Sequence, residues 1–216
     1  MMRDVILAHG LWVPGVVMRP LAARLERAGF RCHTFSYMGA ARPLEAHAER
    51  LTRFACHIGP AHFVGHSLGG LVVLGALTRY PETAAGRVVL LGTPAGGCYA
   101  GRRIARFRVG RWFLGQSGNL WRACHREAGR EGRIARWTRP EALGVIAGTL
   151  PLGLGRLLGR LPGVNDGVVC LEETAVQGMA ERAVLRVGHS AMLVSSRVAE
   201  HVAAFLIEGR FSALSR

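Results

Sequence analysis

Short apolar runs alternate along this chain with longer segments whose apolar residues recur every three or four positions. Asp4 to Ala8 is an apolar run that stops at His9-Gly10, as a strand followed by a turn would. Val16 to Ala28 places Val17, Leu21, Leu25 and Ala28 at helical spacing, with Gly29 as a C-terminal stop. Cys32 to Tyr37 alternates as a second strand. Leu44 to His57 predicts a second helix, with Leu44, Ala48, Leu51 and Ala55 on one face. Ala61 to Gly65 predicts a third strand, and Leu68 to Arg79 a third helix that ends at Tyr80-Pro81. Arg87 to Leu91 is the fourth strand, apolar as a strand buried on both faces should be. Leu143 to Ala147 and Ala183 to Val187 supply two more strands. Ser195 to Leu206 closes the pattern as a helix, with Val198, Val202 and Phe205 on one side.

Strand and helix in strict alternation predict an α/β fold, a mostly parallel sheet of about six strands covered by helices on both faces. The rhythm breaks between Gly96 and Pro140, a stretch rich in Arg with Trp112, Phe113, Trp121 and Trp137 interleaved. It reads as a helical cap inserted at about 97–140 into one domain spanning 1–216. A Gly- and Leu-rich segment, Leu150 to Pro162, follows the fifth strand.

At 216 residues, half of them hydrophobic, the chain has the side chains to fill one core. No run approaches the roughly 20 apolar residues of a membrane-spanning helix. The run Val5-Ile6-Leu7 is shorter than a signal-peptide core, so a cytoplasmic location is expected. Five scattered cysteines, Cys32, Cys56, Cys98, Cys124 and Cys170, form no C-x-x-C pair and suggest neither a disulfide framework nor a zinc site.

The formal charge is +14, which would ordinarily raise nucleic acid or an anionic membrane as a partner. All 28 basic residues are Arg, and 11 of them lie between Gly97 and Pro140 against only Glu127 and Glu131. The basic character therefore belongs mainly to the insert. No nucleic-acid recognition motif accompanies it, so nucleic acid is not an expected partner.

Chemistry enters at Gly65-His66-Ser67-Leu68-Gly69, which fits G-x-S-x-G between an apolar strand and an amphipathic helix. Such a strand must reverse sharply into the helix with Ser at the apex, and only small residues two before and two after it avoid the neighbouring backbone. A Ser hydroxyl needs a base, and the base an orienting acid. Asn165-Asp166-Gly167 follows the fifth strand and Gly188-His189-Ser190 the sixth. Each lies where the sheet would deliver its side chain to the edge that carries Ser67, so Asp166 is the expected acid and His189 the expected base. Glu172 and Glu173 lie farther past the turn. His33, His62 and His201 are competing histidines; His62 precedes the nucleophile and His201 lies within the last helix, so neither of these two fits. For an oxyanion, two backbone amides are expected: that of Leu68, after the nucleophile, and that of Leu11, turned inward by Gly10 in the loop His9-Gly10-Leu11.

His9-Gly10-Leu11, Gly65-His66-Ser67-Leu68-Gly69-Gly70, Gly92-Thr93-Pro94, Asn165-Asp166-Gly167-Val168-Val169 and Gly188-His189, taken in this order, resemble the lipase-like branch of the α/β-hydrolases, with its bacterial triacylglycerol lipases and small esterases. The likeness runs from about Val5 to Leu206. It implies a three-layer α/β-hydrolase fold and hydrolysis of a carboxylic ester through an acyl-enzyme, with a Ser67-His189-Asp166 triad, a small-molecule ester substrate, and neither cofactor nor metal. The first strand already leads to the oxyanion loop, so the two antiparallel strands that open larger members are expected to be missing. The same nucleophile would also serve an acyltransferase or a thioesterase. The Arg- and Trp-rich insert is more basic than a typical lipase lid. It suits peripheral contact with anionic lipid, an acidic acyl substrate, a solvated cap with inward Trp residues, or, with no catalysis at all, a membrane-binding scaffold.

Overall fold

The structure is a computed structural model that describes residues 2–11, 14–39, 41–105, 136–152 and 161–212. Its strands are β1 (Asp4–Ala8), β2 (Arg31–Phe35), β3 (Ala61–His66), β4 (Ala85–Leu91), β5 (Leu143–Gly148) and β6 (Glu181–Leu185). Its helices are α1 (Arg19–Arg27), α2 (Leu44–Ile58), α3 (Leu68–Arg79), α4 (Tyr99–Ala105) and α5 (Ser196–Glu208). The strands form one six-stranded sheet in the order β2-β1-β3-β4-β5-β6, and every neighbouring pair is parallel.

The period-two alternation of side chains along each strand divides the core into two layers. Ile6 and Ala8 of β1, Phe63 of β3, Val88 and Leu90 of β4 and Val145 of β5 face α2 and α3, where they meet Leu51, Ala55, Val72 and Leu77. Val5, Leu7, Val64, Val89, Leu91 and Ile146 face the other way, onto Leu21 and Leu25 of α1 and Val198, Val202 and Phe205 of α5. Each fully buried large side chain of this kind contributes roughly 1.5–3 kcal/mol. Helix α3 is apolar nearly all round because it runs at the centre of its layer, and nine of its residues are buried.

Several boundaries differ from the sequence reading, and three of them have an identifiable cause. The first helix begins as a 3-10 turn over Gly15–Met18 and becomes α-helical only at Arg19. Pro20 lacks the N–H that would bond back into a preceding α-turn, and it fits only the first turn of a helix. Strand β2 stops at Phe35, before Tyr37, because the Tyr37 N–H turns aside to His9 Nε2 at 3.1 Å. Strand β6 begins at Glu181 to match Gly144 of β5, and the Val187 N–H folds back to the Leu185 carbonyl at 2.8 Å instead of continuing the ladder.

The chain winds outward from β1 to β2, then returns across β1 to β3. The strand order thus reverses between β1 and β3, and at such a point the loops leaving the carboxyl ends of the strands part to form a crevice. His9 and Ser67 follow those two strand ends directly.

Most of the predicted insert, including Trp112, Phe113 and Trp121, lies outside the described residues. Its two ends are described. Helix α4 opens it, and Trp137 near its close is buried and donates from Nε1 to the Glu141 carbonyl at 2.7 Å. Arg139 donates to the carbonyls of Leu77, Pro81 and Thr83 and to both carboxylate oxygens of Glu141. Trp137 of this basic stretch is therefore built into the core, and the half-buried Arg139 caps the last turn of α3.

Candidate active site

Ser67 sits between β3 and α3 with φ 54° and ψ −122°, and it is the one non-glycine residue at positive φ among those described. An L-residue accepts such a conformation only where its surroundings impose it. The Ser67 N–H donates to the Leu91 carbonyl at 2.9 Å, which ties the apex to the end of β4. The glycines around it are required by contact. A Cβ at Gly65 would collide with the Gly70 backbone, and one at Gly69 with the carbonyls of Ala8 and His9. One at Gly70 would run into the Thr93 side chain. Ser67 is half-buried, at the first turn of α3, where backbone N–H groups have no partner within the helix.

Asp166 and His189 come together as the sequence predicts. His189 Nδ1 donates to Asp166 Oδ2 at 2.7 Å, and both side chains are buried. The other carboxylate oxygen, Oδ1, accepts the N–H groups of Val168 at 2.9 Å and Val169 at 2.7 Å. Three donors thus fix the carboxylate, and the carboxylate fixes the ring. With its proton held on Nδ1, the ring leaves Nε2 as its basic nitrogen. The backbone reinforces the pair, since the His189 N–H donates to the Asp166 carbonyl at 2.9 Å.

His9 is fully buried and stacks on Tyr37, with 4.4 Å between ring centroids. The Tyr37 N–H donates to His9 Nε2, so the ring proton lies on Nδ1, which donates to the Gly10 carbonyl at 2.8 Å. The Tyr37 hydroxyl donates to the His9 carbonyl at 2.7 Å. Burial pushes the His9 pKa down, which keeps the ring neutral in this double role. In a planar trans peptide the C=O and the following N–H point opposite ways. Holding the Gly10 carbonyl on the His9 ring therefore turns the Leu11 N–H away from that ring. Gly10 itself lies against Ser67, since a Cβ there would be 3.2 Å from Ser67 Cβ. Leu11 and Leu68 also converge, because a Cβ at Gly39 would meet Leu68 Cδ2 at 3.0 Å and Leu11 Cδ1 at 3.3 Å.

The other candidates are occupied elsewhere. Glu173 receives the N–H groups of Cys170 and Tyr99, and so joins the start of α4 to the segment that follows Asp166. His33 pairs with Asp4 at 2.8 Å, His62 accepts the Arg87 N–H at 2.9 Å, and His201 lies 3.3 Å from Ser212 Oγ. No group of three or more His, Cys, Asp or Glu arranged to hold a metal ion occurs among the described residues. No helix among them is long and apolar enough to cross a membrane.

Nothing near Tyr37 in the chain points to His9, and Gly92 stands out in the sequence only as part of a motif. Gly92 has φ 53°, and a Cβ there would stand 3.0 Å from both Asp166 Oδ2 and His189 Nδ1. The tight turn Gly92-Thr93-Pro94 was the available signal, since a glycine just past a strand end often marks a close approach.

The sequence pattern of the Alpha/beta hydrolase family matches residues 5–204. Among curated proteins, none matches the sequence. Solved structures share the fold at low identity. A lipase of Bacillus licheniformis in its mature form superposes with a TM-score of 0.72 at 15% identity, over 97% of this chain and 93% of that one. A metagenomic carboxyl esterase gives a TM-score of 0.72 at 17% identity, over 96% of this chain and 76% of that one. A pyrethroid hydrolase gives 0.63 at 15% identity, over 97% and 99%.

Proposed function

This chain belongs to the α/β-hydrolase family, and on that premise we propose that it hydrolyses carboxylic esters with Ser67 as nucleophile, His189 as general base and Asp166 as orienting acid. One observation carries the reading. The one strained non-glycine residue among those described is a serine at a strand–helix apex, in the same fold as a buried His–Asp pair at 2.7 Å that follows β5 and β6. Neighbours named as lipase, carboxyl esterase and pyrethroid hydrolase fit it.

His189 Nε2 takes the Ser67 proton as Oγ bonds to the ester carbonyl carbon. The carbonyl oxygen becomes an oxyanion, which the amides of Leu68 and Leu11 receive. The tetrahedral adduct collapses, the bond to the alcohol oxygen breaks, and that oxygen leaves with the proton from His189. Water then attacks the acyl-enzyme, giving its proton to His189, and the acid departs as Ser67 regains its hydrogen. Asp166 stays a carboxylate throughout and stabilises the imidazolium formed in each half-reaction.

The same proposal takes the chain as one domain in which about 97–140 forms a cap beside the site. The expected cytoplasmic location and a peripheral contact of that Arg-rich stretch with anionic lipid belong to it as well, the latter on charge.

Short p-nitrophenyl esters test the reading. The wild type should turn them over, and Ser67→Ala should lose about 10³-fold or more in kcat/KM. Equal turnover by the Ala variant would sink the assignment. Transfer of the acyl group to an added alcohol or thiol in preference to water would reassign the chain as an acyltransferase. Failure of a fluorophosphonate to label Ser67 would favour a non-catalytic scaffold.

A further inference from the structure

His66 stands at the variable position of G-x-S-x-G, immediately before the nucleophile, and the reaction derived above makes no use of it. It is almost entirely buried. Its Nε2 lies 3.0 Å from the backbone carbonyl of His189, and the two rings pack at 4.7 Å between centroids. A carbonyl only accepts, so Nε2 carries the proton and donates. Nδ1 is buried with no hydrogen-bond partner among the described residues, which agrees with its being the bare nitrogen.

We propose that His66 is a positioning residue that latches the general base to the nucleophile turn through its Nε2–H···O=C bond to His189. This rests on the catalytic reading of Ser67 and His189. His189 is then held at three points: its N–H on the Asp166 carbonyl, its Nδ1 on the Asp166 carboxylate, and its carbonyl on His66. Two of these tie it to the acid loop alone. The third ties it to the residue joined by one peptide bond to Ser67. Without that third tie, the His–Asp unit could shift as a body relative to Ser67 while its internal bonds stayed intact. Proton transfer depends on the distance between nucleophile and base, and a displacement of about 1 Å is enough to cost on the order of a hundredfold.

The arrangement also requires His66 to stay neutral. A proton on Nδ1 would place an unpaired charge beside the imidazolium that His189 becomes during turnover. Burial, and secondarily the charge of His189, depress the His66 pKa. An aliphatic or aromatic side chain would fill the same space but leave the His189 carbonyl without its donor. Glutamine reaches the Nε2 position with an N–H and restores it.

The test combines kinetics with a spectroscopic reading of the tautomer. His66→Phe should lower kcat on p-nitrophenyl esters by roughly ten- to a hundredfold with KM nearly unchanged, and His66→Gln should recover most of the loss. In the 15N-histidine-labelled wild-type protein, His66 should appear as the neutral Nε2–H tautomer from pH 5 to 8. The His189 Nδ1–H resonance should be sharp in the wild type and in His66→Gln. A wild-type His66 that titrates in this range, or carries its proton on Nδ1, overturns the proposal even if His66→Phe fails to fold. So does a His66→Phe protein with unchanged kcat, or one whose loss Gln fails to rescue. If the wild type neither turns over ester nor labels at Ser67, the catalytic reading fails. The tautomer and the His189 resonance would then still report on the latch itself.

Discussion

His189 and Asp166 stand 23 residues apart in the chain, and their side chains meet across 2.7 Å because β5 and β6 run side by side and release their loops at the same edge. The bond fixes the tautomer as well as the orientation of the ring. Asp166→Asn replaces an acceptor with an amide whose N–H can donate to Nδ1, which would move the ring proton to Nε2, where Ser67 needs a base. A loss of roughly 10³–10⁴ in kcat with the fold retained is expected. Ester kinetics beside a thermal melt check it, and a loss under tenfold would contradict the role.

Gly92 leaves a side chain little room. Its φ of 53° disfavours an L-residue by about 1–2 kcal/mol, and a Cβ would press on Asp166 Oδ2 and His189 Nδ1, each at 3.0 Å. Gly92→Ala should therefore lose on the order of a hundredfold in kcat, through displacement of the pair, together with a modest fall in Tm. A variant that lost stability but kept wild-type kcat would show that the pair yields without consequence.

Arg139 belongs to the basic stretch by sequence, and the structure half-buries it against the end of α3. Its guanidinium serves three backbone carbonyls and the Glu141 carboxylate, and the hydrogen bond from Arg139 holds the Glu141 pKa below its usual range. Arg139→Met removes every donor and leaves Glu141 unpaired. It should destabilise by about 1–3 kcal/mol, read from the denaturant midpoint, with kcat of the folded fraction unchanged. Arg139→Met with Glu141→Gln should recover part of the loss. A surface residue would show neither effect.

Acid should unfold this protein through its buried histidines. His66 has its pKa pushed down to about 3, chiefly by burial, and His9 is lowered for the same first reason. The unfolded chain takes up these protons near pH 6.5 and the folded chain does not. The unfolded state therefore binds more protons below pH 6.5, and stability falls as the pH drops from there towards 3. His66 alone contributes a slope of about 1.4 kcal/mol per pH unit well inside that window. Urea midpoints at pH 7, 5.5 and 4.5 should decline, and less steeply in His66→Gln. Equal midpoints across the series would show that these histidines are protonated in the fold.

Much of this was written locally. Apolar periodicity placed β1 and α3 to the residue, because burial on both faces of a strand and all round a helix leaves a continuous apolar run that needs no partner to be recognised. Ser67 and His189 were legible because each lies within a few residues of a strand end, whereas Asp166, well past the end of β5, was marked by its Asn-Asp-Gly turn. Boundaries were less so. Tyr37 ends β2 by bonding to a histidine 28 residues earlier, and Pro20 delays α1 by a backbone bond that it cannot make.

The sequence by itself determined the α/β class and the parallel sheet and singled out Ser67, Asp166 and His189, since period, turn chemistry and chain order are properties of neighbours along the backbone. Only the tertiary structure decided what holds those side chains in place. The His66 bond to His189 spans 123 residues, the Gly92 approach brings the end of β4 against two later loops, and the Arg139 cap joins the end of the basic stretch to the helix that begins after Ser67. Such contacts depend on which strands lie side by side, and that order is set by the packing of the whole core.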